Sequence, residues 1–104
     1  MWPYGYTKTP VPYDVTVRDH ATFVALGRHM VSLNGYTPEQ ASSLYVDSGT
    51  ARDWYYGKRH IFGFTFELAT GTYQRSSAIG PELSRNRGAV LYLISMAGCT
   101  EPPA

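Results

Sequence analysis

Glu67 stands late in an apolar run, between Phe66 and Leu68. A carboxylate in that setting either reaches solvent at the end of the run or is held in a site. Buried and unpaired it would cost on the order of several kcal/mol, or take up a proton. A carboxylate that exchanges a proton near the working pH is what general acid–base catalysis uses. The competing reading is a salt bridge to Arg59 or Arg75. The three histidines offer no metal centre. His20 and His29 lie on one predicted helix, and at about 100° per residue their spacing sets them on opposite sides. His60 has no partner at ligand spacing, and neither His-x-x-Glu nor His-Glu-x-x-His occurs. Zinc generally takes three or four protein ligands, so no metal ligand is assigned and no zinc is expected on this chain alone. Ser42 and Ser48 have no adjacent His/Asp arrangement. Cys99, the one cysteine, has no basic neighbour to activate it and no partner for an internal disulfide. Glycine-rich phosphate loops are absent.

The elements that must carry Glu67 follow from periodicity. Phe23, Leu26, Met30 and Leu33 recur at three- and four-residue steps, so Val17 to Leu33 is predicted as a helix. Gly27 is a weak spot inside it, and Asn34-Gly35 stops it. Thr37-Pro38-Glu39-Gln40 has the form of a capping box, which predicts a short helix to about Ser43. Tyr45 to Thr50 reads as a loop. Thr50 caps a short helix over Ala51 to Tyr56, closed by Gly57. His60 to Leu68 gives the clearest strand pattern: Phe62, Phe64 and Phe66 alternate with Ile61, Gly63, Thr65 and Glu67. A polar loop covers residues 69–79, and Pro81 to Ala97 reads as a second long helix stopped by Gly98. The predicted core is Phe62, Phe64, Phe66, Phe23, Met30, Leu91 and Ile94.

Composition narrows the function classes. Nine basic and eight acidic side chains give a formal net charge of +1, which makes no electrostatic case for nucleic acid or an anionic membrane. No apolar run approaches the roughly 20 residues of a membrane span. Nine tyrosines suit either a tyrosine-rich surface or a site that binds something both apolar and hydrogen-bonding.

One pattern is more specific. The run Leu44-Tyr45-Val46-Asp47-Ser48-Gly49-Thr50-Ala51-Arg52-Asp53-Trp54-Tyr55-Tyr56-Gly57, followed by Phe64-Thr65-Phe66-Glu67-Leu68, resembles the carboxypeptidase A/B/T type of zinc carboxypeptidase. The opening Trp2-Pro3-Tyr4-Gly5-Tyr6-Thr7 resembles the strand end after that family's last zinc histidine. Ser84-Arg85-Asn86-Arg87 with Ala89 to Leu93 is similar to the closing helix of secreted actinobacterial members. The loop Thr70 to Gly80 departs from the family pattern. The resemblance implies an α/β fold: residues 1–104 would be the C-terminal segment of one peptidase catalytic domain with a mixed sheet, a central strand flanked by two long helices. It implies an exopeptidase acting on peptide and protein C-termini, with zinc in the complete enzyme and its ligands upstream of Met1. It also implies secretion and non-proline cis bonds at Pro3-Tyr4 and Ala69-Thr70. Glu67 then matches the catalytic glutamate that acts as general base on the water, and Tyr45 the tyrosine that closes over the substrate's terminal carboxylate. Thr65 matches a position lining the pocket. Arg52 matches the floor of the pocket for the substrate's last side chain, where a guanidinium favours C-terminal Glu or Asp; the competing readings are that Arg52 turns outward, or pairs with Asp53 and leaves the pocket neutral. The alternative is a catalytically inactive truncated product, or an interaction module binding peptide or sugar on the aromatic edge Trp2, Tyr4 and Tyr6.

Overall fold

Helix α1 runs Val17–Asn34 and begins where the sequence provides a cap: the Thr16 hydroxyl accepts a hydrogen bond from the Asp19 amide at 2.9 Å. It ends where Gly35 takes the left-handed conformation, φ 75°, and its amide bonds back to the Val31 carbonyl. The computed structural model describes residues 1–12, 14–68 and 75–97. Gly27 has a use within α1. The Trp2 indole lies across it, and a methyl group there would come within 3.1 Å of the ring. Beyond α1, Gln40 does not close a capping box. Its side-chain amide donates instead to the carbonyls of Tyr4, Thr7 and Thr9, at 3.1, 2.9 and 3.2 Å. The short helix expected here shrinks to a single 3₁₀ turn, Ala41–Ser43.

Helix α2 runs Ala51–Arg59, capped by the Thr50 hydroxyl as predicted. It continues past Gly57 because His60, not the glycine, takes the left-handed conformation, φ 54°. Gly57 faces Tyr4, whose hydroxyl would lie 3.2 Å from a methyl group placed there. Helix α3 runs Ser76–Ser95 and starts five residues ahead of Pro81, which therefore sits inside it and leaves the Ser77 carbonyl without its helical donor. Gly98 lies outside the described residues.

The sheet is where expectation fails. Among the described residues there is no β-strand and no sheet, only an isolated parallel bridge between Trp2 and Gln40. The expected α/β mixed-sheet fold is therefore replaced by three α-helices joined by extended segments. The physical reason lies in the backbone of residues 60–68. A strand is defined by a lateral ladder, and this segment finds one pairing: the Met1 amine donates to the Thr65 carbonyl at 2.7 Å and the Thr65 amide donates back at 3.0 Å. The alternation itself is real. Phe62 and Phe64 pack on a cluster formed by Trp2, Tyr4, Val15, Phe23 and Tyr56. Phe64 and Phe66 reach a second cluster, Leu26, Met30 and Ala89, where α1 meets α3. Phe64 thus joins both clusters.

Phe23 and Met30 are core, at 1% and 2% exposure. Leu91 and Ile94 are not; both are exposed. The buried stripe of α3 follows Asn86 and Ala89, with Tyr92, Leu93 and Met96 against it. At about 100° per residue, Leu91 and Ile94 fall well off that stripe. Trp2 and Tyr4 are also buried, so two rings of the aromatic edge in the interaction-module alternative belong to the core, while Tyr6, the third, is exposed. The Pro3-Tyr4 bond is cis; Ala69-Thr70 lies outside the described residues. No described helix is long and apolar enough to cross a membrane.

Candidate functional site

Arg52 and Asp53 lie in the first turn of α2, and both are buried, at 8% exposure each. Charges enter an interior only when paired and hydrogen-bonded, and each is. The Arg52 Nε donates to Asp53 Oδ1 at 3.2 Å, Nη1 to the Thr65 hydroxyl at 2.9 Å, and Nη2 to the Thr50 hydroxyl at 3.2 Å. Asp53 also accepts the Gly5 amide, at 3.0 and 2.8 Å to its two oxygens, and the Tyr6 amide at 3.2 Å. Its charge further suits the start of a helix.

These groups close the inner end of a cavity of about 270 Å³. Gly5, Ala41 and Arg52 form its buried end, and Thr50 and Thr65 its half-buried wall. Tyr45, Asp47 and Glu67 stand exposed at the rim. The four residues singled out in the sequence, Tyr45, Arg52, Thr65 and Glu67, thus border one cavity, although they come from a loop, a helix and an extended segment. Glu67 makes no ion pair with Arg59 or Arg75 among the described residues; Arg59 instead lies 5.9 Å from the Trp54 ring centre.

Sequence reasoning missed the structural weight of Gly5 and Asp53. The pairing of Asp53 with Arg52 is one of the competing readings the sequence offered. The two backbone donors from residues 5 and 6 were not foreseeable, because they lie far away along the chain. A wider cleft of about 680 Å³ runs on from the cavity between α1, Phe64–Phe66 and the first half of α3. Its far wall is tied by a polar network: the Tyr36 hydroxyl donates to Glu82 at 2.8 Å, and Asn86 donates to that hydroxyl at 2.8 Å.

A family model described as zinc carboxypeptidase matches residues 1–88. The chain belongs to the zinc carboxypeptidase family. It is similar to a protein named zinc carboxypeptidase from Saccharothrix mutabilis subsp. capreolus, 36% identical over 104 residues, covering 95% of this chain and 24% of that protein. The chain thus spans about a quarter of that relative's length. Zinc is the metal that the family name carries. Among the described residues no three His, Cys, Asp or Glu side chains come together as a metal site. The described residues of this zinc carboxypeptidase chain therefore do not themselves make up a zinc ligand set.

Proposed function

We propose that this chain is the substrate-reading segment of a peptidase catalytic domain that hydrolyses the C-terminal peptide bond of peptides and proteins. The observation that carries the proposal is the convergence of Tyr45, Arg52, Thr65 and Glu67 on one cavity. Glu67 at the rim is the general base. It takes a proton from the attacking water as oxygen adds to the carbonyl carbon, and passes it to the amine nitrogen as the C–N bond breaks. The Tyr45 phenol, half in solvent on a loop, donates a hydrogen bond to the substrate's terminal carboxylate. Arg52 and Thr65 receive the last side chain, and the guanidinium selects Glu or Asp. The complete enzyme carries zinc on ligands outside this chain and is secreted.

Blocked dipeptides test the reading in the complete, zinc-loaded enzyme. Release of the C-terminal residue from a free acid, with no release from the matching amide, is the expected result. A substrate ending in Glu should exceed one ending in Leu or Lys by more than about tenfold in kcat/KM, since a well-placed charge pair supplies more than the roughly 1.4 kcal/mol that tenfold requires. Equal cleavage of the amide ends the exopeptidase reading.

A further inference from the structure

The geometry points to Asp53 and Gly5 as the residues that aim Arg52 into the cavity; this rests on the proposed role of Arg52. An aspartate next to an arginine ordinarily neutralises it through a forked, two-point pair. Here Asp53 meets the guanidinium at Nε alone, 3.2 Å away. Both oxygens of Asp53 are already engaged by the Gly5 amide, and one by the Tyr6 amide. Asp53 therefore anchors one edge of the guanidinium and leaves the Nη edge to the Thr50 and Thr65 hydroxyls, both of which line the cavity. A guanidinium has five N–H donors. Asp53, Thr65 and Thr50 accept one each, so two have no protein acceptor, on a buried side chain that lines the cavity, where charge is little screened.

Gly5 makes that aim possible. A methyl group at residue 5 would stand 2.6 Å from Arg52 Nη2 and 3.2 Å from the Asp47 carbonyl. Nη2 would have to move, while Nε could stay on Asp53. The chemistry this arrangement recognises is a carboxylate. Asp53 and Gly5 are positioning residues: they act through Arg52.

N-acetylglutamate, N-acetylglutamine and N-acetylleucine, titrated separately into the complete enzyme and followed by NMR, test this without any need for catalysis. The unmodified enzyme should bind N-acetylglutamate about tenfold or more tighter than N-acetylglutamine. Gly5→Ala should bring that ratio to about one while leaving the N-acetylleucine affinity within about twofold, and Asp53→Asn should do the same with a lower Tm. A Gly5→Ala enzyme that keeps its preference, or loses all three affinities by one factor, overturns the inference. So does an unmodified enzyme that prefers none of the three, a result that leaves C-terminal hydrolysis untouched. If all three probes bind equally tightly and each weakens in Arg52→Gln, Arg52 reads the terminal carboxylate, and the side-chain reading is overturned. One measurement needs no variant: the Arg52 Nε–H proton, held on Asp53, should exchange slowly with water before any probe is added, and fast exchange there overturns the clamp.

Discussion

Glu67 and Arg52 border one cavity, and their burial assigns them different tests. Glu67 is exposed at the rim, so Glu67→Gln should fold normally and lose activity alone. The expected loss in kcat is about 10²–10⁴-fold with KM little changed, measured on the complete enzyme; a loss under tenfold would remove Glu67 as the base. Arg52→Gln acts on a buried, paired charge and leaves Asp53 short of its ion partner. A stability cost of about 3–5 kcal/mol accompanies the breaking of a buried pair, read as a drop in the denaturation midpoint. Glu67 was legible because a carboxylate between Phe66 and Leu68 needs explaining from sequence alone. Tyr45, Arg52 and Thr65 were legible only through the family resemblance, since nothing in their spacing brings a loop, a helix and an extended segment together.

The elements show where local signals suffice and where they do not. Helices α1 and α2 begin at Thr16 and Thr50, each a hydroxyl three residues ahead of an amide it caps; Thr50 is legible as a cap in the sequence, and the start of α1 by periodicity alone. Thr16→Ala should cost about 1 kcal/mol of stability by chemical denaturation, with no effect on the cavity. Gly27 was read as a defect of α1, yet the indole of Trp2 lies across it, 3.1 Å from where a methyl group would stand. Gly27→Ala should therefore destabilise by about 1–3 kcal/mol through overpacking, outweighing the roughly 0.8–1 kcal/mol that alanine gains in a helix; a more stable variant would show that Trp2 yields freely. Thr37–Gln40 and residues 60–68 carried the correct local patterns for a capped helix and a strand. Both were overridden from far along the chain, Gln40 by the carbonyls of residues 4, 7 and 9, and the phenylalanine run by finding, among the described residues, a lateral backbone partner in Met1 alone.

At the scale of the whole molecule, the N-terminal segment is the part on which everything else closes. Trp2 crosses α1, Tyr4 packs against α2, and the Gly5 amide reaches Asp53. Two phenols fasten this assembly. Tyr4 donates to Asp14 and Tyr56 to Asp19, both at 2.7 Å. Burial, with the carboxylate beside each, pushes both phenols well above the usual value near 10. A raised phenol pKa means that the fold holds the proton more tightly than the unfolded chain. Its contribution is complete below pH about 10 and is lost as the pH rises above it. Denaturation midpoints should accordingly hold steady toward pH 9 and fall beyond 10, and Tyr56→Phe should flatten that fall; an unchanged alkaline slope in the variant would exclude Tyr56 from it. The side chain of Gln40 has a consequence of a different kind, on the timescale of chemical ageing. Its amide hydrogens face three carbonyl oxygens at a buried position. Hydrolysis of that amide to a carboxylate would turn the donors into acceptors and set negative charge against all three. Packing shields Gln40 from water, and a chain that unfolds long enough to deamidate there would return with residues 4 to 9 repelled from the site they cover.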